Sequence, residues 1–207
     1  MQLNRLDVAD TYLVTPQVFP DDRGHFLEMF SSPAFKEVVG HEMNVAQVNC
    51  SLSVKGTIRG LHAVSLPGQA RYVTCPQGAI IDIVVDVRLG SPTYGKHVAV
   101  ELSSENRHAL YLAEGLAHGF APLTDEATVV YLCSNTYAPG REVQINPFDP
   151  DLALPWPDTG AELLIADKDR TAPTLREAAE RGLLPTYVEC QELYAQLNGL
   201  TLDGENR

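Results

Sequence analysis

Two histidines, His62 and His118, lie among apolar residues and glycines, whereas the other histidines have more polar neighbours. A histidine in a strand is more often a hydrogen-bonded structural residue than a catalyst, but beside a carboxylate it is the usual general base at neutral pH. Tyr131 lies in an apolar run, where it is either a core aromatic or a phenol that donates a proton into a cavity. The charged segment 166–170 is either a solvated turn or the source of a carboxylate that orients His62. These residue types can perform acid–base chemistry.

The same histidines raise the question of a metal site. Metal sites in small β-barrels usually present a cluster such as His-x-His with a carboxylate. The residue two positions after His62 is Val64, which cannot be a ligand. The sequence therefore predicts neither a metal nor another cofactor.

The elements that position these residues are mainly strands. Between residues 12 and 145, short β-branched runs alternate with Gly, Pro, Asn and Asp, which is typical of an all-β sandwich or barrel. The spacing predicts strands at 45–51, 57–62, 71–75, 79–88, 97–102, 109–112, 128–134 and 143–145. Helical periodicity appears at 32–39, 175–180 and 190–197. We expect a single domain over residues 1–207, with a β-barrel core at about 12–145 and a connector and helices at 146–207.

Two neighbouring strands carry polar residues at unusual positions. The run 45–51 alternates strictly between polar and apolar residues, so it has either a wet outer face or a polar inner face. Its polar face carries Gln47, Asn49 and Ser51. In the next strand, Gly60 favours a bulge that turns both Arg59 and His62 inward. Two such strands suggest a ligand-filled barrel.

Composition excludes several functional classes. The 207 residues carry a net charge of −12, which repels polyanions and argues against nucleic-acid binding. No apolar run approaches the ~18 residues of a membrane helix, and the first residues do not resemble a signal peptide. The four cysteines form no Cys-x-x-Cys pair and are expected to be buried free thiols. These features predict a cytoplasmic protein that binds neither nucleic acid nor membrane.

Several separated motifs resemble the dTDP-4-dehydrorhamnose 3,5-epimerase family, in its branch that makes deoxysugars for antibiotics. The motifs lie in register at 59–62, 90–95, 102–106, 114–120 and 168–169. The resemblance implies a cupin-like jelly roll with peripheral, chiefly C-terminal helices. It further implies a homodimer formed by exchange of N-terminal strands, and activity without metal on dTDP-4-keto-6-deoxy-glucose.

The resemblance also assigns residue roles. His62 matches the family's base, Asp169 its carboxylate partner and Tyr131 its acid on the opposite face of the sugar. Arg71 stands where the family has a lysine beside the enolate oxygen. The remaining matches are substrate-binding positions, with arginines on the diphosphate and the others around the nucleotide, sugar and phosphates: Arg23, Phe26, Glu28, Gln47, Asn49, Arg59 and His118.

The lysine-to-arginine difference leaves alternatives open. Ala63 and Val64 replace an aromatic–Gln pair of the family, and we expect these small side chains to make room for the broader guanidinium of Arg71. The first hypothesis is epimerisation at C3, C5 or both centres. The second is a dTDP-keto-sugar 3,4-ketoisomerase, and the third is a protein that binds the sugar nucleotide without turnover.

Overall fold

A computed structural model describes residues 1–199, which form fourteen strands and four helices. The strands are β1 (Gln2–Arg5), β2 (Thr11–Thr15), β3 (Val18–Asp21), β4 (Gly24–Leu27), β5 (Gln47–Val54), β6 (Thr57–Val64), β7 (Arg71–Gln77), β8 (Ala79–Asp86), β9 (His97–Ser103), β10 (Ala109–Leu112), β11 (Leu116–Pro122), β12 (Glu126–Cys133), β13 (Glu142–Gln144) and β14 (Leu164–Ile165). The helices are α1 (Ser32–Val39), α2 (Asp167–Arg170), α3 (Leu175–Glu180) and α4 (Tyr187–Leu197). The last part of the predicted domain, 200–207, lies outside the described residues.

Twelve strands form two sheets that pack face to face. The first has the order β1-β2-β10-β7-β12-β5, and the second has the order β13-β6-β11-β8-β9 with β14 beside β6. Neighbouring strands are antiparallel except for the parallel pair β14 and β6. The core between the sheets takes Val73 and Val129 from the first sheet and Ile80 and Val84 from the second. This sandwich is the predicted cupin-like jelly roll.

Peripheral helices and loops cover the outer faces of both sheets. On the first sheet, Phe35 of α1 and Tyr194 of α4 pack into a buried cluster with Tyr72 and Tyr111. On the second sheet, the connector and α3 cover another cluster that includes Ile83 and Val85 of β8. Because β8 is buried on both faces, its sequence is a nearly continuous apolar run.

All eight predicted strands are present, with ends that differ by at most three residues from the prediction. Helices α1 and α3 match their predicted bounds. Helix α4 begins at Tyr187, three residues earlier than predicted, because Thr186 and Glu189 form a capping box. The sequence analysis missed β11, since its glycine and proline obscure the strand pattern and its residues are buried on both faces.

The polar face of β5 is its inner face. Gln47, Asn49 and Ser51 are half-buried and face inward, whereas Val48 is 56% and Leu52 is 53% exposed on the outer face. The polar residues therefore line the interior, as a ligand-filled barrel requires. Cys50 lies on the same outer face and is exposed, so the expectation that all four cysteines are buried was wrong for this one. Its position follows from the inverted alternation of β5.

The predicted bulge is present in β6. His62 pairs with His118 and Arg59 pairs with Phe120, so two residues of β6 oppose the single Gly119 of β11. In a regular strand, residues three apart face opposite sides of the sheet. The extra residue in β6 places Arg59 and His62 on the same side, where both line one cavity.

Only glycine fits at position 60. Gly60 has a φ of +125°, and a Cβ atom there would lie 2.5 Å from the Cα atom of Gly119 and 2.8 Å from the carbonyl oxygen of His118. Such contacts are shorter than real Cβ atoms make. Gly24 has a similar φ of +138°, but no atom lies within 4 Å of its Cβ position. Substitutions at the two positions therefore distinguish the cost of backbone strain from the cost of steric crowding.

We expect Gly60→Ala to destabilise the fold more than Gly24→Ala. Both variants incur the cost of an unfavourable φ, roughly 1–3 kcal/mol. Gly60→Ala adds crowding against β11, which costs roughly another 1–3 kcal/mol. Urea unfolding of the two variants and the parent measures the difference. Equal losses in unfolding free energy would show that the β6–β11 contact is looser than described.

Candidate active site

A cavity of about 550 Å³ lies between the two sheets and is lined mostly by polar side chains. The second sheet and α2 supply one wall, and β5, β7 and β12 of the first sheet supply the other. The polar side chains that line the cavity are Ser51, Thr57, Arg59, His62, Arg71, His118, Tyr131, Glu142, Lys168 and Asp169. The cavity thus brings together all four residues predicted to be catalytic.

His62 and Asp169 form a hydrogen-bonded pair although they are 107 positions apart in sequence. Strand β14 runs parallel to β6, with Ile165 beside Ile58, and so delivers α2 to the bulge. The Nε2 atom of His62 lies 2.7 Å from Oδ1 of Asp169, while Oδ2 accepts a long hydrogen bond of 3.4 Å from the Gly60 amide. This arrangement assigns the Nε2–H donor to the carboxylate and leaves Nδ1 of His62 as the basic nitrogen.

The charge of Asp169 follows from two opposing effects. The carboxyl group is 2% exposed, and burial acts to raise its pKa. The hydrogen bond and the charge of His62, together with the Gly60 amide and the charge of Lys168, outweigh burial, so the pKa of Asp169 lies below its usual value. Asp169 is therefore an anion at neutral pH, ready to stabilise a protonated imidazole.

Tyr131 faces the cavity from the opposite sheet. It lies on β12, paired with Asn49 of β5 and Val73 of β7, and its ring is half-buried against the core. The hydroxyl forms no hydrogen bond with any residue from 1 to 199. A phenol and an imidazole thus enter one cavity from opposing sheets.

Arg71 is buried at the end of β7, with 8% of its surface exposed. Its Nη1 donates to the carbonyl oxygen of His62 at 3.3 Å, and its Nε donates to Oε1 of Gln69 at 3.2 Å. Burial lowers the pKa of the guanidinium below its usual value, although the nearby hydroxyl of Tyr131 and thiol of Cys133 act to raise it. Arg71 remains a cation at neutral pH.

The expectation about the residues after His62 was wrong for Ala63. Ala63 is buried in the cluster on the outer face of the second sheet, together with Val143 and Ile145. Its small size therefore does not make room for Arg71. Val64 pairs with Glu142, which lines the cavity, but does not line the cavity itself.

A second histidine–carboxylate pair lies directly beside the first. His118 pairs with His62 across β11 and β6, and its Nδ1 lies 3.0 Å from Oδ1 of the fully buried Asp82. Burial lowers the pKa of His118, Asp82 acts to raise it, and Arg71 lowers it further. His118 was predicted as a site residue. Asp82 was not, because it lies in a strand of otherwise mostly apolar, buried residues.

Three further side chains predicted at the site are held by neighbours, and of these only Arg59 lines the cavity. Nε of Arg59 donates to Oγ of Ser53 at 2.8 Å. The amide of Gln47 donates to Oδ1 of Asn49 at 2.8 Å, and the amide of Asn49 contacts the thiol of Cys133 at 3.6 Å. These contacts fix the orientation of the three side chains.

Two further cavity residues were not predicted as site residues. Nζ of Lys168 lies 3.4 Å from Oε2 of Glu142. Lys168 belongs to the charge cluster that includes Asp169, and such a cluster is usually a solvated turn. Glu142 lies on the short strand β13, where no sequence pattern marked it.

The predicted residues Arg23, Phe26 and Glu28 lie outside the cavity of their own chain. They belong to or follow the β3–β4 hairpin, which pairs with neither sheet within residues 1–199. The guanidinium of Arg23 contacts Asp21 at 2.7 Å, and Phe26 is 65% exposed. The structure therefore does not bring these three residues together with the other predicted site residues.

Two general properties bear on the class of the site. No group of three or more His, Cys, Asp or Glu side chains in residues 1–199 is arranged to hold a metal ion. No helix in that part of the chain is long and apolar enough to cross a membrane.

Comparisons with known proteins agree on one family. The family model for dTDP-4-dehydrorhamnose 3,5-epimerase matches residues 5–177. An enzyme of that name from Mycolicibacterium smegmatis is 44% identical over 192 residues, which cover 92% of this chain and 94% of the relative.

Solved structures show the same likeness. An epimerase from Mycobacterium tuberculosis matches with a TM-score of 0.93 at 43% identity and covers 95% of this chain and 100% of that one. ChmJ, a 3'-monoepimerase from Streptomyces bikiniensis in complex with dTDP-quinovose, matches with a TM-score of 0.90 at 45% identity over 93% of this chain and 98% of that one.

Proposed function

The chain belongs to the dTDP-4-dehydrorhamnose 3,5-epimerase family, and we propose that the cavity between its sheets is the active site. The enzyme is an isomerase that epimerises a dTDP-4-keto-6-deoxyhexose at C3, C5 or both, in deoxysugar biosynthesis. The observation that carries the site assignment is the entry of His62 and Tyr131 into one cavity from opposing sheets.

His62 acts as the base. The C4 ketone acidifies the hydrogens on C3 and C5, because removing either one gives an enolate. Nδ1 of His62 takes the proton, and the electron pair of the C–H bond moves onto the ketone oxygen through the new C–C double bond. Asp169 holds the ring and stabilises the imidazolium through the 2.7 Å hydrogen bond at Nε2.

Tyr131 completes the inversion. Its phenol donates a proton to the same carbon from the opposite face, while the enolate electrons return and restore the ketone. The resulting phenolate regains a proton from solvent, and the imidazolium of His62 releases its proton to solvent, so both groups return to their starting states. A base and an acid on opposite faces are the minimum that inversion of one centre requires.

The cations of the cavity have separate roles in this proposal. Arg71 stabilises the enolate oxygen, since preorganised donors aimed at developing charge act strongly in a water-poor site. Arg59 lies at the exposed end of the cavity and binds the diphosphate. Gln47, Asn49 and His118 contact the sugar and phosphates. On a chain of net charge −12, these local cations offset a repulsive background.

We also propose a homodimer. The outer face of β5 exposes an apolar row that includes Val48, Leu52 and Val54, and the β3–β4 hairpin exposes Phe19 and Phe26. Apolar surface arranged in this way on a sheet edge fits a second copy of the chain. Exchange of the hairpin would place Arg23, Phe26 and Glu28 of a second copy beside the cavity, where the resemblance assigns them.

A cytoplasmic location completes the proposal. The four cysteines are free, and Cys50 is exposed without forming a disulfide. Exposed free thiols fit a reducing compartment. Fractionation of the producing cells tests the location, and recovery of the enzyme only outside the cytoplasm would contradict it.

The exchange of label from D2O tests the catalytic roles. We expect His62→Ala to lose label uptake at every position by ~10²–10⁴-fold, because a positioned general base contributes that much. We expect Tyr131→Phe to retain uptake through His62 while net inversion slows. Proton NMR of the dTDP-sugar measures both and shows whether C3, C5 or both centres exchange. Parent-like uptake in His62→Ala would move the base elsewhere, and no uptake in the parent enzyme would favour a protein that only binds the sugar nucleotide.

A charge in the apolar row tests the dimer. We expect Leu52→Lys to shift the parent from dimer to monomer, because an interface would bury the new charge without a partner. Leu183→Lys is the matched control, since Leu183 is 43% exposed but lies far from β5 in sequence and outside both surfaces named above. Light scattering after size-exclusion chromatography measures the mass. A monomeric parent, or a dimer that survives Leu52→Lys unchanged, would contradict this interface.

A further inference from the structure

We propose that Gln69 is a positioning residue for Arg71, and that it aims one amino group of the guanidinium at the enolate oxygen. The inference rests on the proposed role of Arg71 and goes beyond it, because Gln69 does not line the cavity. Its side chain instead contacts the back of the guanidinium.

Two hydrogen bonds fix the guanidinium plane of Arg71. Nε donates to Oε1 of Gln69 at 3.2 Å, and Nη1 donates to the carbonyl oxygen of His62 at 3.3 Å. The Nη2 amino group has no hydrogen-bond partner within residues 1–199. It is nevertheless not fully buried. Nη2 therefore remains free to donate to a ligand in the cavity, which Arg71 lines.

The amide of Gln69 is itself oriented by a neighbouring loop. Its Nε2 donates to the backbone carbonyl oxygen of Asn135 at 2.7 Å. The Ala70 amide also donates to Oγ of Ser134 at 2.8 Å. Because Nε2 must face the Asn135 carbonyl, Oε1 must face Arg71. The Gln69 acceptor thus has a single fixed position.

The device suits arginine and not lysine. An arginine has a donor at Nε, partway along its side chain, in addition to its terminal amino groups. Lysine carries all its donors on one terminal nitrogen, so a contact with Gln69 would hold the same nitrogen that must reach the enolate oxygen. Preorganised donors stabilise developing charge because they need no rearrangement during the reaction. Loss of the Gln69 contact lets the guanidinium rotate and reduces that stabilisation.

A four-enzyme cycle tests the inference, with the parent, Gln69→Leu, Arg71→Lys and the double variant. In the parent background we expect Gln69→Leu to lower kcat by about 10-fold, as for loss of one charge-assisted hydrogen bond, and to change KM for the dTDP-sugar much less. In the Arg71→Lys background we expect the same change to lower kcat by less than about 2-fold. Gln69→Met provides a second apolar replacement, and thermal unfolding shows which variants are folded.

Asn135→Ala is the matched control. It removes the side-chain bond to Gly68 but keeps the backbone carbonyl that orients Gln69. We expect kcat within about 2-fold of the parent. Equal losses from Gln69→Leu in both backgrounds would overturn the inference and assign Gln69 to loop structure. An unchanged kcat in Arg71→Ala would instead overturn the proposed role of Arg71.

Discussion

The single extra residue in β6 is the constraint on which the site depends. Without it, Arg59 and His62 would face opposite sides of their sheet, and only one of them would reach the cavity. The close approach of β6 to β11 at this point excludes any side chain at position 60. The same bulge turns the Gly60 amide toward Asp169, so that the carboxylate is held by both the base and the backbone that positions it. A local distortion of one strand thus brings together Arg59, the proposed diphosphate-binding cation, and His62, the proposed base, with its partner Asp169.

The polar side chains in the interior are tolerated because other residues form hydrogen bonds with them. Buried charges are costly unless they are paired or hydrogen-bonded. In this chain Asp169 holds His62, Asp82 holds His118 and Ser53 holds Arg59. Asp82 and Ser53 lie outside the cavity lining, whereas Asp169 is part of it. The apolar residues displaced from the interior of β5 appear on its outer face, which is why the proposed catalytic cavity and the proposed dimer surface lie on the two sides of one strand.

Much of the fold and the residues of the site follow from the sequence, but their contacts do not. Alternating β-branched runs locate the strands, since a period of two is a local property of the chain. The inward turn of Arg59 and His62 was predictable because glycine between them marks a bulge. Strand β11 was not, because burial on both faces removes the alternation. Asp82, Glu142 and Lys168 were not predicted as site residues because their contacts come from neighbours far away in sequence. The exposure of Cys50 and the burial of Ala63 on the outer face depend on which side of each strand faces the core. The sequence of a single strand does not determine that orientation.

The central claim is that Nδ1 of His62 and the hydroxyl of Tyr131 address one carbon from opposite faces of the sugar. A crystal structure of the enzyme with a dTDP-linked 6-deoxyhexose measures this directly. The account predicts that both atoms lie within ~3.5 Å of C3 or of C5, on opposite sides of the ring, a separation set by near-attack geometry. It also predicts that Nε2 of His62 still bonds Asp169. Two results would contradict the account. One is that Nδ1 of His62 and the hydroxyl of Tyr131 lie on the same face of the sugar, and the other is that His62 is turned so that Nε2 points at the sugar ring.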